Sequence, residues 1–128
     1  MPFWNSSAPR FLDREAVLKD LRRLAETAAL NDPRIRRIIL FGSLATRRAT
    51  PRSDADLLIV LADHPKRSID RIPEYLEAFS RGPLPVDVFP WTEKEVEDRR
   101  REGDLFLKRI ESEGIELYKR LSGTRSGS

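Results

Sequence analysis

Three aspartates carry the clearest chemical signal in this sequence. Asp54 and Asp56 open an apolar stretch, and Asp87 stands between Val86 and Val88. Because side chains alternate along a strand, Asp54 and Asp56 share a face, about 6.6 Å apart by the rise per residue. Two negative charges at that distance repel by about 3 kcal/mol at an effective dielectric near 20, and exposure, protonation or a cation relieves this repulsion. Carboxylate oxygens in such a group suit Mg²⁺ or Mn²⁺.

A second candidate is the dipeptide Gly42-Ser43, which directly follows an apolar run. A glycine at the end of a strand lets the backbone approach a ligand closely, and the N–H groups that follow can bind phosphate. Ser43 adds a hydroxyl donor. The dipeptide does not belong to a Walker-type phosphate loop, because the second glycine and the Lys-Ser/Thr pair are missing. Each feature alone has an ordinary alternative: a solvated strand start for the aspartates and a strand-ending turn for Gly42-Ser43.

Composition excludes several other kinds of chemistry. The 128 residues contain no cysteine and a single histidine, His64. Disulfide frameworks, zinc ribbons, thiol nucleophiles and multi-histidine metal sites are therefore excluded. His64 lies in the turn-like sequence Asp63-His64-Pro65, so we expect it at the surface. Any reaction must depend on carboxylates, hydroxyls and cations.

The elements that position these residues are predicted to alternate between helices and strands. The spacing of apolar residues and the capping signals predict their bounds. In order they are a helix from Asp13 to Asn31, strands over 35–41 and 54–61, a helix over 70–79 and a strand over about 84–89. The wholly apolar runs within the first two strands predict that both of their faces are buried. A capping box at Thr92–Glu95 then begins a charged helix, which Gly103 interrupts and which continues from a second cap at Asp104 to Gly114. A short extended piece over 115–118 follows. The predicted class is α/β (α+β), with a small mixed sheet of about three strands flanked by helices.

The length fits one domain, which we place at residues 12–121. Residues 1–11 are expected to form a loose arm and residues 122–128 a disordered tail. No apolar run approaches the roughly 20 residues that span a bilayer, and no signal peptide is evident, so we expect a cytoplasmic protein without a membrane partner. The net charge is only +3, with 35% charged residues of both signs. Charges this mixed do not form a nucleic-acid footprint, so nucleic acid is not an expected partner.

The combination of motifs is more specific than any of its parts. The sequence reads Phe41-Gly42-Ser43, then ten residues, then Asp54-Ala55-Asp56, and later Val86-Asp87-Val88. This pattern resembles the nucleotidyltransferase superfamily that includes DNA polymerase β. It is most similar to the minimal nucleotidyltransferases of bacteria and archaea, which are often encoded beside HEPN-domain proteins. The resemblance covers roughly residues 13–120 and implies the nucleotidyltransferase fold.

The resemblance also implies roles for the residues that match the motif. Gly42 and Ser43 would hold the triphosphate of ATP or another NTP. Asp54 and Asp56 would bind Mg²⁺ or Mn²⁺. Asp87 would complete the metal site and help to activate the acceptor hydroxyl.

One departure concerns the loop after Ser43. Small members commonly have Gly-Ser-x-Ala-Arg-Gly, whereas here Ala45 is followed by Thr46-Arg47-Arg48. The usual arginine is displaced by one position and the glycine after it is absent. Arg47 is therefore the candidate for a role beside the phosphates, unless the loop is built differently.

The predicted function is metal-dependent transfer of NMP, with AMP from ATP as the first candidate, to a hydroxyl of a protein or small molecule. The resemblance implies a HEPN-domain toxin as partner, with this protein as its antitoxin, and a homodimer is the other partnership considered. The alternative function is a catalytically idle module that caps such a toxin. We expect Phe89, Trp91 and Phe106 to expose an apolar patch beside the active edge, where the acceptor or partner docks.

Overall fold

The computed structural model describes residues 13–46 and 54–121. The predicted N-terminal arm and tail, and Arg47, lie outside the described residues. The elements are α1 (Arg14–Asn31), β1 (Ile35–Phe41), β2 (Ala55–Leu61), α2 (Ser68–Ala78), β3 (Val86–Thr92), α3 (Glu93–Arg101), α4 (Leu105–Glu113) and β4 (Ile115–Lys119). No helix in these ranges is long and apolar enough to cross a membrane.

The strands form a mixed sheet in the order β3-β2-β1-β4. β1 is antiparallel to both β2 and β4, whereas β2 and β3 are parallel. A parallel pair needs a crossover connection, and α2 supplies it. The prediction of about three strands is corrected to four, because the extended piece after Gly114 pairs with β1. Its sequence signal is weak, since Leu117 alone of its five residues is fully buried.

β3 begins and ends later than predicted. It runs to Thr92 and contains Pro90, which pairs in register with Ile59 of β2. A proline removes a ladder donor and is tolerated on edge strands, the position that β3 occupies. The extension matters because it keeps Asp87 near the beginning of the strand rather than at its middle.

Both faces of the sheet are covered. One face packs against α1 and α2, and the core between them includes the fully buried Leu21 of α1, Ile38 of β1 and Leu57 of β2. The other face carries Ile39 and Leu58 and packs against α3 and α4. The apolar runs of β1 and β2 were predicted to be buried on both sides, and this prediction is confirmed.

Three predicted helix starts are confirmed by their caps. The carboxylate of Asp13 accepts a hydrogen bond from the Ala16 N–H, and Asp104 accepts from the N–H groups at the start of α4. Thr92 and Glu95 form the reciprocal capping box of α3. α2 starts two residues earlier than predicted. The predicted start at Asp70 would place Pro73 in the first turn. In the structure Pro73 lies in the second turn, and its missing N–H costs one helical hydrogen bond.

The prediction that His64 is a surface residue is wrong for its side chain. The imidazole is only 3% exposed, and Nε2 lies 3.1 Å from Oε1 of Glu74. The segment after β2 folds back on α2, which places the ring 6.1 Å from the ring of Tyr75. This end of the sheet is opposite to the one where β2 begins, so His64 is remote from the three aspartates.

Candidate active site

The structure brings Asp56 and Asp87 together where β2 and β3 begin. The two strands are parallel, and these residues are register partners. Asp54 precedes β2 and has the same strand parity as Asp56. Asp54 and Asp87 are exposed, whereas Asp56 is half-buried. Since Leu58 and Phe89 follow on the same parity, the carboxylates lie on the sheet face that α3 and α4 cover.

Electrostatics distinguishes Asp56 from its neighbours. Burial raises the pKa of the Asp56 carboxyl above its usual value, and the charges of Asp87 and Asp54 raise it further. The ionised form is therefore disfavoured unless a cation compensates. A divalent cation bound beside Asp56 would favour the ionised form of its carboxyl group.

The described residues do not form a closed metal cage. In residues 13–46 and 54–121, no group of three or more carboxylate, histidine or cysteine side chains is assembled as a metal site. Mg²⁺ is commonly held by one or two carboxylates together with phosphate oxygens of a substrate. The in-register pair Asp56 and Asp87, with its mutual repulsion, fits that open arrangement.

Gly42 places the turn after β1 directly against the carboxylate of Asp56. Its φ is +84°, and a Cβ at this position would lie 2.4 Å from Oδ2 of Asp56. No L-residue with a side chain fits there without moving the carboxylate. The Gly42 carbonyl accepts hydrogen bonds from the N–H groups of Ala45 and Thr46, at 3.1 and 3.2 Å. The turn is therefore tightly wound, and Ser43 lies within it.

Arg14 fastens this turn to α1. Its Nε donates to the Leu44 carbonyl at 3.0 Å, and Nη2 donates to the Ala45 carbonyl at 3.1 Å. Arg14 is not part of the sequence motif, because its two partners are 30 and 31 residues away along the chain. No local pattern marks such a contact.

A cavity of about 340 Å³ opens beside Asp56 and the turn. Its walls come from the end of β1, the turn, β2 and α4. The lining residues are Phe41, Gly42, Ser43, Thr46, Asp56, Phe106, Arg109, Ile110 and Glu113. The structure thus unites Gly42, Ser43 and Asp56 in one cavity and places Asp87 next to Asp56. Arg109 and Glu113 were not predicted as site residues. The sequence pattern indicates the helix that carries them, but it does not indicate that this helix packs over the ends of β1 and β2.

The aromatic residues beside the site form a packed cluster rather than an exposed patch. Phe106 of α4 has ring centroids at 5.4 Å from Phe41, 5.8 Å from Phe89 and 6.0 Å from Trp91. The guanidinium of Arg99 covers Trp91 at 3.8 Å. The prediction of an exposed patch is therefore wrong for Trp91, which is 6% exposed, and right for Phe106, which is 41% exposed. Trp91 is buried because α4 packs over this part of the sheet and places Phe106 against the Trp91 ring.

The sequence matches the family model for the nucleotidyltransferase domain over residues 19–117. The chain belongs to this family. The matched range includes β1, the turn at Gly42, both aspartates at the start of β2, and Asp87. The family and fold expected from the sequence motifs are therefore confirmed.

Several solved structures also resemble the chain along most of its length. A protein from Sulfolobus solfataricus classed as a nucleotidyltransferase shares 24% identity at a TM-score of 0.57, over 84% of each chain. A toxin–antitoxin structure with AMP-PNP has 19% identity and a TM-score of 0.48, over 88% of this chain and 77% of the other. A variant of the toxin–antitoxin MntA-HpeT has 23% identity and a TM-score of 0.48, over 88% and 76%. No curated protein matches the sequence significantly.

Proposed function

We propose that this protein transfers a nucleoside monophosphate from an NTP, with ATP as the first candidate, to a hydroxyl group of an acceptor. The observation that carries the proposal is the contact between the Gly42 turn and the Asp56 carboxylate. A backbone turn suited to phosphate lies against a carboxylate group suited to a divalent cation. Membership of the nucleotidyltransferase domain family supports the same reaction class.

In the proposed reaction, the acceptor oxygen attacks the α-phosphorus of the NTP. The bond from that phosphorus to the bridging oxygen of the β-phosphate breaks, and pyrophosphate leaves. Mg²⁺ or Mn²⁺, bound by Asp54, Asp56 and Asp87, would supply positive charge for the attacking and leaving oxygens. The N–H groups directly after Gly42, which precede the two that donate to the Gly42 carbonyl, would orient the triphosphate together with the hydroxyl of Ser43.

Asp87 has a separate role in this proposal. Its exposed carboxylate lies on the edge strand β3, where an acceptor can approach it, and in this proposal it takes the proton of the attacking hydroxyl. We expect Asp87→Asn to retain much of the NTP affinity and to lower the transfer rate by about 10²–10⁴-fold. Single-turnover rates and equilibrium binding, measured on the same preparation, separate the two effects. Equal losses in both would assign Asp87 to nucleotide binding instead.

The acceptor that we propose is a hydroxyl on a partner protein, and the motif resemblance supports a HEPN-domain toxin as that partner. The alternative, a capping module that transfers nothing, predicts a stable complex without modification. Co-purification followed by mass measurement distinguishes them. Addition of one AMP to the partner supports transfer, and an unmodified partner in a stable complex supports capping.

The reaction type is tested with ATP labelled on different phosphates. The protein is incubated with Mg²⁺, a host-cell lysate, and ATP labelled at either the α- or the γ-phosphate. The proposal predicts labelled acceptor from α-labelled ATP only, and no labelling with Asp56→Asn. Label from the γ-phosphate would indicate phosphoryl transfer, and absence of label from both would contradict the enzymatic proposal.

A further inference from the structure

Arg109 occupies a distinctive position on α4. It lines the same cavity as Gly42, Ser43 and Asp56. Two of the residues that line this cavity are carboxylates, Asp56 and Glu113, and Arg109 is the one cation among the described lining residues. A site of this composition repels a polyphosphate unless the arginine turns toward it. The positive charge of Arg109 is therefore the feature of this cavity that can attract a polyphosphate.

Neighbouring arginines are already engaged. Arg99 pairs with Asp104 at 2.9 Å, Arg100 pairs with Glu97 and Glu111, and Arg101 pairs with Asp98. Arg109, by contrast, has no carboxylate partner within the described part of the chain, and its side chain is exposed. Arginine presents a planar fork of donors that matches phosphate oxygens. Among the residues that the structure describes, Arg109 is the guanidinium that lines this cavity and can bind an anionic ligand there.

The remaining wall that α4 contributes is apolar. Phe106 is 41% exposed despite its contacts with three aromatic rings, and Ile110 lies one turn further along the helix. An exposed aromatic face beside a polar anchor is typical of sites that bind a ring-bearing ligand. The cavity volume of about 340 Å³ is also within the range of small-molecule sites, about 300–1,000 Å³.

We propose that α4 is the second half of the nucleotide site, in which Arg109 binds the phosphates and Phe106 supports the nucleobase. This inference rests on the proposed function and extends it. The turn at Gly42 and the aspartates hold the reacting end of the nucleotide, and α4 closes the site from the opposite wall. The two α4 residues then contribute to different parts of the same ligand.

The contribution of Arg109 is tested by binding in the presence of Mg²⁺. The ligands are ATP, AMP and inorganic tripolyphosphate, and the variants are Arg109→Gln and Arg109→Lys. Loss of charge-assisted hydrogen bonds to phosphate should weaken ATP and tripolyphosphate binding by about tenfold or more in Arg109→Gln. AMP binding should fall less, and Arg109→Lys should recover part of the loss. Lys108→Gln, which changes the adjacent exposed cation outside the cavity, should bind all three ligands as the wild type does.

The variant of Phe106 should affect the nucleotides and spare tripolyphosphate, in contrast to the variant of Arg109. Phe106→Leu keeps an apolar side chain but removes the ring face, so ATP and AMP should each bind about fivefold or more weakly. Tripolyphosphate has no base, and its affinity should not change. Leu105→Ala is the matched control, because Leu105 is 76% exposed and does not line the cavity. Thermal unfolding of each variant confirms that the fold is retained.

The outcomes distinguish this inference from the proposed function. Unchanged ATP affinity in Arg109→Gln, together with lost affinity in Asp56→Asn, would overturn the assignment of α4 and leave nucleotide binding at the turn intact. Equal effects of Phe106→Leu on ATP and tripolyphosphate would overturn the role of Phe106 as a base support. A wild-type protein that binds none of the three ligands would overturn both proposals.

Discussion

Asp56 carries a charge that the fold alone disfavours. Its pKa is raised by burial and by the charges of Asp87 and Asp54, so ionisation costs stability as pH rises above the usual carboxyl range. Asp56→Asn removes that cost, and we expect stability at pH 7 to be unchanged or higher, by at most about 1 kcal/mol after solvent screening. The difference should vanish about one pH unit below the ordinary aspartate pKa of about 3.9, where the carboxyl is protonated in both states. Chemical unfolding at both pH values measures it.

A second test of Asp56 uses the proposed ligand, Mg²⁺ with a nucleotide. The same variant should lose Mg²⁺-dependent nucleotide affinity while keeping its fold. A substantially destabilised Asp56→Asn protein would show that the carboxylate supports the structure rather than a ligand.

Gly42 offers a matched pair of substitutions with Gly103. Both have positive φ, +84° and +73°, so alanine at either position costs about 1–2 kcal/mol of backbone strain. Only at Gly42 does the added Cβ meet another group, because nothing lies within 4 Å at Gly103. Gly42→Ala should therefore be the more destabilising change and should also abolish NTP binding. Thermal unfolding and equilibrium binding provide the measurements, and equal behaviour of the two variants would contradict the close approach at Asp56.

Arg14 shows how one helix positions a turn of the site. Its two hydrogen bonds to the Leu44 and Ala45 carbonyls hold the residues that follow Gly42. We expect Arg14→Gln to raise the KM for NTP by about tenfold, because the loss of roughly 1–2 kcal/mol of charged hydrogen bonding loosens the turn. The kcat at saturating NTP should change less. Arg22→Gln, an exposed change on the same helix, should leave both parameters unchanged. A fall in kcat alone would contradict a positioning role.

Arg71 and Glu95 connect α2, β3 and α3. The Arg71 side chain is 4% exposed and donates to both Glu95 oxygens, at 2.8 and 3.0 Å, and to the Pro90 carbonyl. The hydrogen bond from Arg71 lowers the pKa of the Glu95 carboxyl below its usual value. The pair therefore stabilises the fold above about pH 4.5, and this contribution is lost as pH falls through the lowered pKa.

The corresponding variant is Glu95→Gln. It should lose about 1 kcal/mol at pH 7 and nothing at strongly acid pH, since Glu95 is partly exposed. Unfolding free energies between pH 7 and pH 3 give the comparison. Glu97→Gln, which changes a surface pair on the same helix, should cost less than about 0.5 kcal/mol at every pH. A pH-independent loss in Glu95→Gln would contradict the assignment.

At the scale of elements, the sequence predicted what local patterns encode. Caps at Asp13, Thr92 and Asp104 and the apolar runs of β1 and β2 are local signals, and they were confirmed. β4 was less evident because a short edge strand buries few residues. The position of α2 relative to Pro73 was mistaken because tertiary packing outweighs the local penalty of one proline.

In the whole molecule, the site is formed by segments that are far apart along the chain, from β1 to α4. The sequence could predict that Gly42, Asp56 and Asp87 belong to one site, because their types and spacing resemble a family motif. Arg14 and Arg109 could not, because their roles depend on how α1 and α4 cross the sheet. The same packing buries Trp91 and leaves Phe106 exposed, which no pattern of apolar spacing distinguishes.

The turn after β1 and the carboxylates of β2 and β3 are proposed to act as one nucleotide site. A residue-resolved titration with Mg²⁺–ATP can detect this joint action. We predict perturbation of the backbone signals over residues 42–45, at Asp56 and at Asp87, none near His64 at the opposite end of the sheet, and no response in Asp56→Asn. Perturbation centred on His64, or an unchanged titration in Asp56→Asn, would contradict the account.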